Sequence, residues 1–246
     1  MKKRLFGTLA LIGAIAVPMT ASAYLLGPTT PGKWGSAVMG TGATVTWSYM
    51  NNGVSCAAAE FAGCSISSFA SFMPAGFGAQ VQNAFDAWSA VANLTFVFVA
   101  ADNGVAFNDP GTNADIRIGG HAFDGPNGVL AHGFYPPSNG ASAAGDIHFD
   151  TAENWDLNQA GAGIDLFTVM AHELGHALGL DHTLVSNSLM NAFYSEAFVG
   201  LQSDDVAGMQ FIYGAPVSTN VPEPATLALV GLALVGMSLR RRSAAR

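Results

Sequence analysis

His172, Glu173 and His176 follow one another as His-Glu-x-x-His within residues 168–178, a run whose apolar positions recur at helical spacing. Side chains four positions apart share one face of a helix, so both imidazoles can reach a single metal ion. Glu173 is offset by one position, which lets its carboxylate sit beside a metal-held water without taking a coordination site. The spacing predicts a helix over 168–178 that breaks at Gly179, the residue type suited to a helix C-terminus. The turn there brings His182 back as a third nitrogen ligand. Three protein ligands leave a fourth position open, the mark of a catalytic zinc site and not of a structural one. The chemistry expected is hydrolysis without a covalent intermediate: a water in the open position is acidified, and Glu173 takes its proton and passes it to the leaving group. A bare His-Glu-x-x-His can arise by chance on an amphipathic helix, but Gly179 and His182 in register argue against that reading.

The elements that must carry these residues are legible in outline. Residues 40–50 alternate and are rich in β-branched types, predicting a strand; 79–91 have apolar residues at helical spacing; strands are expected at 94–99, 115–118, 129–134 and 146–149. A last helix is expected over about 204–213. Strands interspersed with a few helices indicate an α+β domain with a mixed sheet. The chain has 246 residues, half of them hydrophobic, enough for one domain with a real core and short segments at its ends. The formal charge is −8, and Lys2, Lys3, Arg4, Arg240, Arg241, Arg242 and Arg246 place most of the nine basic residues at the chain ends. An acidic, nearly base-free central domain argues against a nucleic-acid partner.

Residues 1–23 run from a basic cluster through a short apolar stretch to Ala21-Ser22-Ala23, the layout of a secretory signal peptide, with an N-terminal anchor as the alternative. The two cysteines, Cys56 and Cys64, would most simply close a small disulfide loop in an oxidising compartment; two free thiols are the alternative. From Ala215 the composition turns to Pro, Ser and Thr, and residues 216–246 read as a linker and tail. The tail holds Val221-Pro222-Glu223-Pro224, an apolar stretch short for a membrane span, and an arginine cluster.

The run 172–182, HELGHALGLDH, resembles the metzincin signature, and Asp181-His182 with their surroundings resemble its matrixin branch, the matrix-metalloproteinase-like peptidases. Residues 84–89 (AFDAWS), 94–96 (LTF), 203–205 (SDD) and 213–214 also match, so the resemblance spans about 34–214. It implies a zincin-like domain with a twisted mixed sheet, an active-site helix, a Met-turn at Met190 and a C-terminal helix. It also implies a zinc metalloendopeptidase. The tail is similar to the PEP-CTERM sorting signal of Gram-negative bacteria, which implies export, transient membrane contact and removal by an exosortase-type enzyme in the cell envelope; a plain C-terminal anchor remains the alternative.

Residues 123–132 and 145–155 resemble the matrixin loops that hold a structural zinc and calcium. The resemblance implies His132 and His148 as structural-zinc ligands. It implies Asp124, Asp150 and Glu153 as calcium carboxylates, with carbonyls of Gly125, Asn127 and Val129 completing an oxygen shell; Asp115 and Asp146 match a second calcium site more weakly. The chain departs from the family where a His-x-Asp pair should precede Phe123, having Gly119-Gly120-His121-Ala122 instead. This leaves open whether His121 ligates from a shifted position, or whether that zinc is three-coordinate, lost or replaced. Residues 129–135, with Leu130 and Ala131, are expected as the edge strand on which an extended protein or peptide substrate adds by backbone hydrogen bonds. Tyr194 matches the family's pocket wall, whereas Asn191 and Ala192 depart from it. Neither cysteine has the sequence context of a cysteine switch. The competing readings are a non-catalytic metal-binding envelope or matrix protein on the same fold, which would have no need of Glu173, and a zinc hydrolase acting on a non-peptide bond.

Overall fold

The computed structural model describes residues 24–106, 114–136 and 143–217. The leader expected over 1–23 and the sorting segment of the tail lie outside the described residues. In chain order the elements are β1 (Leu25–Leu26), β2 (Ala43–Tyr49), α1 (Phe77–Val91), β3 (Leu94–Phe98), β4 (Ile116–His121), β5 (Ala131–Gly133), β6 (Ile147–Asp150), β7 (Trp155–Asp156), β8 (Ile164–Asp165), α2 (Leu166–Ala177), β9 (Leu180–Asp181) and α3 (Ser203–Tyr213).

The alternation in β2 turns Val45 and Trp47 into the core, and β2 becomes an inner strand of a sheet ordered β3-β2-β4-β6-β5. The first four strands run parallel and β5 closes the edge antiparallel to β6, so the sheet is mixed. The structure thus has the α+β architecture expected. β4 is longer than its alternating stretch suggests. It continues through Gly119 and Gly120 to His121, because a side chain at Gly120 would strike the Phe72 ring at 2.5 Å and the Phe149 carbonyl at 2.6 Å. Glycine is a poor strand former, yet here only glycine fits, and the extra residues carry His121 to the end of the sheet.

One helical layer covers the sheet. α1 buries Val81, Ala84, Phe85 and Trp88, spaced along one face. Phe85 stacks on Trp47 with centroids 4.4 Å apart. Trp88 Nε1 donates to the Ala171 carbonyl at 3.0 Å, fastening α1 to α2. Each of these fully buried aromatic side chains contributes about 1.5–3 kcal/mol by leaving water. α2 starts two residues earlier than its periodicity suggests, since Asp165 caps it by accepting from the Thr168 amide at 2.9 Å. It ends before Gly179, whose φ is +111° and whose missing Cβ would lie 2.2 Å from the Gly32 carbonyl oxygen.

Beyond that turn, β9 pairs antiparallel with β1, matching Leu25 to Asp181 and Leu26 to Leu180. Residues 24–27 therefore brace the segment that leads to His182. Cys56 and Cys64 are joined as a disulfide. With Met50, Val54, Ile66 and Ala143 they form a second small core under the loop. No helix among the described residues is long and apolar enough to cross a membrane.

Candidate active site

α2 presents His172 and His176 on one face, one turn apart, and β9 returns His182 against them. The three Nε2 atoms lie 3.1 Å from one another in every pair. His172 Nδ1 donates to the Leu189 carbonyl at 2.6 Å and His176 Nδ1 to the Leu180 carbonyl at 2.8 Å. A ring nitrogen facing a carbonyl must carry the proton, so in the neutral rings Nε2 is a bare lone pair. Burial lowers the pKa of His172 to about 4 and that of His176 to about 3, the latter helped by His172, so both stay neutral. Lone pairs gathered this closely repel one another unless a cation lies between them. Tetrahedral zinc with ordinary Zn–N bonds would separate its nitrogens by about 3.3 Å. These residues fit a zinc ion.

Glu173 projects beside this triangle. Its carboxylate is buried, its Oε2 finds no hydrogen-bond partner among the described residues, and burial raises its pKa to about 8 although the Gly133 amide opposes the rise. His172, Glu173 and His182 open onto a cleft of about 710 Å³ whose walls include Leu130, Ala131, Asn191, Ala192, Phe193 and Tyr194. Tyr194 is held as wall: its hydroxyl accepts from the Asp165 amide at 2.8 Å and donates to Glu196 at 2.7 Å. β5 is narrower than the expected strand at 129–134, but Leu130 and Ala131 line the cleft as that expectation requires.

Beneath the triangle lies Met190, buried against α2 so closely that a side chain on Gly175 would meet its Sδ at 2.4 Å. What holds this floor is Asp205 on α3, whose part the sequence reading did not assign. Its carboxylate accepts from the amides of Leu189 at 2.8 Å, Met190 at 3.1 Å and Gln202 at 2.7 Å, and from the Ser188 hydroxyl. Since the Leu189 carbonyl orients His172, Asp205 positions that imidazole through the turn. A buried carboxylate needs such donors, and an acidic residue in a helix's first turn facing the core was the available signal. His182 is steadied from the other side: Asp181 accepts from its amide and from the Tyr135 hydroxyl, each at 2.7 Å.

A second convergence lies at the far end of the sheet. The register sets His132 opposite His148 and carries His121 to the end of β4. With Glu60 these three form the only other group of three or more potential metal ligands among the described residues. Glu60 Oε1 is 2.7 Å from His132 Nε2, 3.0 Å from His148 Nδ1 and 3.5 Å from His121 Nε2. Burial would raise the Glu60 pKa, but the three histidines outweigh it and hold the carboxyl below the usual range. Burial also keeps His148 neutral, lowering its pKa to about 4. Sequence reasoning missed Glu60, although it is the only charged residue between Lys33 and Asp86.

The expected calcium residues are tied into one loop without forming such a cluster. Asp124 accepts from the Val129 amide at 3.1 and 3.2 Å, Glu153 from the Asn127 amide at 2.6 Å, and Asp150 from the amides of Phe123 and Ala152 at 3.3 and 2.9 Å. Asn127 holds a φ of +67°, and Gly125 one of +93°. Asp150 Oδ2 is buried with no hydrogen-bond partner among the described residues, so this loop retains an acceptor for a cation. Asp115 and Asp146 have separate engagements. Asp115 accepts from the Thr46 amide and hydroxyl at 2.8 Å, while Asp146 is buried 3.8 Å from the Arg117 guanidinium. That fixed cation competes with any calcium there, and among the described residues neither joins a converging ligand group.

Comparison with known proteins bears on the same stretches. A family model described as matrixin matches residues 65–214, and one described as a PEP-CTERM protein-sorting motif matches residues 220–242. The chain is 41% identical to karilysin of Tannerella forsythia over 150 residues, covering 58% of this chain and 29% of karilysin. It is 41% identical to human stromelysin-3 over 140 residues (55% and 27%) and 38% identical to human neutrophil collagenase over 158 residues (58% and 31%). The chain thus spans under a third of the length of these curated relatives.

Proposed function

Since the chain belongs to the matrixin family, we propose that it is an exported zinc-dependent endopeptidase with Glu173 as general base and His172, His176 and His182 as the metal ligands. The observation that carries this reading is the triangle of Nε2 atoms, 3.1 Å apart, with a buried carboxylate beside it at the floor of an open cleft. When bound, zinc acidifies water and polarises a carbonyl. His172 and His176 would hold it with their Nδ1–H groups spent on fixed carbonyls, so those two rings cannot swing away. Glu173 accepts the proton of the attacking water and returns it to the departing amine. β5 offers its edge to an extended peptide, which adds by backbone hydrogen bonds. Asn191, Ala192 and Tyr194 shape the wall that side chains beside the scissile bond would meet.

We read residues 1–23 as a leader, 24–215 as the catalytic domain and 216–246 as linker and sorting segment. On that reading the protein passes through export machinery, contacts a membrane transiently through its tail and is released by an exosortase-type enzyme in a Gram-negative envelope. Calcium at the loop of Asp124, Asp150 and Glu153 would be structural.

The deciding experiment measures zinc content and cleavage of an unfolded protein substrate by the wild-type chain and by Glu173→Ala. Cleavage by the wild type only, with zinc retained in both, supports the reading. Zinc binding without cleavage by either, across varied substrates and calcium concentrations, means a non-catalytic metal-binding protein and overturns it.

A further inference from the structure

We propose that Glu60, carried by the disulfide-closed loop 56–64, is the carboxylate ligand of a second zinc centre whose other ligands are His121, His132 and His148. This centre would staple the loop to the sheet.

Three imidazole nitrogens from three different strands converge on one oxygen, Glu60 Oε1, at 2.7, 3.0 and 3.5 Å. His121 Nδ1 faces the Ala122 carbonyl at 3.0 Å, so in the neutral ring the proton lies on Nδ1 and Nε2 is the ligating nitrogen. That Nε2 is buried with no hydrogen-bond partner among the described residues, and it points at the Glu60 oxygen. A neutral His121 thus turns its lone pair toward a carboxylate oxygen 3.5 Å away, an arrangement that a divalent cation coordinated by both would relieve. Three imidazoles and one carboxylate form a closed four-ligand set suited to structural zinc. Phe123 stacks flat on His132 with centroids 4.8 Å apart, and Phe61 packs edge-on against His121, so apolar rings shield the cluster.

The loop is built to deliver Glu60. The Glu60 amide donates to the Cys56 carbonyl at 3.0 Å and the Cys64 amide to the Phe61 carbonyl at 2.9 Å, so Glu60 sits on a turn that the Cys56–Cys64 bond closes. Just past the bond, Ser67 and Gly120 exchange backbone hydrogen bonds at 2.7 and 3.2 Å, which anchors the loop next to His121. Glu60 precedes residue 65, where the family match begins. The ligand thus comes from a part of the chain outside that match. It occupies the place of the carboxylate that the sequence around Gly119-Gly120-His121-Ala122 lacks. The inference does not depend on peptidase activity, because this centre can be counted with the first one removed.

The test uses the full oxidised chain, loaded with zinc and analysed for metal per chain by mass spectrometry. The wild type should hold two zinc ions and His172→Ala/His176→Ala one. Adding Glu60→Ala to that double variant should weaken the remaining zinc in chelator competition by more than about 100-fold, beyond the loss usual for groups that only orient ligands. Adding Cys56→Ala/Cys64→Ala instead should weaken it by at least about tenfold, with Glu60 left without its fixed loop. Should Glu60→Ala not fold, Glu60→Gln keeps the shape, and zinc-edge anomalous diffraction on wild-type crystals must show a peak bonded to a Glu60 oxygen. One zinc in the wild type, unchanged affinity in the Glu60 variants, or a peak lacking Glu60 would overturn the proposal.

Discussion

Glu173 is buried where the cleft meets the three histidines, and its Oε2 lacks a hydrogen-bond partner among the described residues. On the proposed reading, replacing it with alanine removes the proton acceptor and no metal ligand. We expect Glu173→Ala to lower kcat/KM by about 10²–10⁴-fold, the usual weight of general acid–base catalysis, with zinc content unchanged. Asp205 presents the opposite case, a carboxylate without chemistry that holds four donors around Met190. Asp205→Ala leaves those donors buried and unpaired, and should destabilise the fold by about 3–5 kcal/mol in urea titrations. Zinc affinity should fall with it, because the Leu189 carbonyl that orients His172 loses its support. A melting curve like that of the wild type would show that the turn is held by packing alone.

At the scale of elements, the candidate active site is a junction of α2, β9 and the Met190 turn. Gly175 and Gly179 set how closely these approach. A methyl group on Gly175 would gain about 1 kcal/mol of helix propensity but would have to displace Met190 Sδ from 2.4 Å, and overpacking of that kind costs about 1–3 kcal/mol. The steric term wins, and Gly175→Ala should be destabilised and weaker in zinc binding. Gly179→Ala should be worse still. Its obstacle is the Gly32 carbonyl at 2.2 Å, a backbone atom that cannot rotate aside, and its φ of +111° is unfavourable for any L side chain. Metal content and thermal unfolding of the two variants should rank them in that order.

For the whole molecule, burial makes stability depend on pH. His148, His172 and His176 have folded pKa values of about 4, 4 and 3, below the unfolded value of about 6.5. Between roughly pH 6.5 and 4 the unfolded chain therefore binds more protons at these sites, and acid destabilises the metal-free fold. Glu173 works the other way. With a folded pKa of about 8 against 4.5, its contribution is present below pH 4.5 and is lost as pH rises through 8. Among these four groups the three histidines outweigh the one glutamate below pH 6.5, and Glu173 is the one that still titrates above it. The metal-free chain should thus be most stable near pH 6.5 and lose stability steeply on acidification. Zinc should shift the unfolding midpoint upward most at neutral pH, where the ligands are already deprotonated. Unfolding curves from pH 4 to 8, with zinc and with a chelator, check both statements; a chelated form that gains stability on acidification would contradict them.

Residues 172–182 specified their own site because helix geometry is local: a spacing of four sets two imidazoles side by side, and glycine marks the turn that returns the third. β2 was legible for the same reason, since its alternation over seven residues encodes a buried face. The two-residue strands β1 and β9 were not, as their pairing rests on a neighbour more than 150 residues away and on no periodicity. Asp205 and Glu60 show the limit most plainly. Each is an ordinary acidic residue in sequence, one in a helix's first turn and one alone between two cysteines. Each acquires its surroundings only on folding, Asp205 among donors of the Met190 turn and Glu60 among imidazoles from three strands. Burial converts a solvated carboxylate into one that must find partners, and burial is decided by the tertiary structure alone.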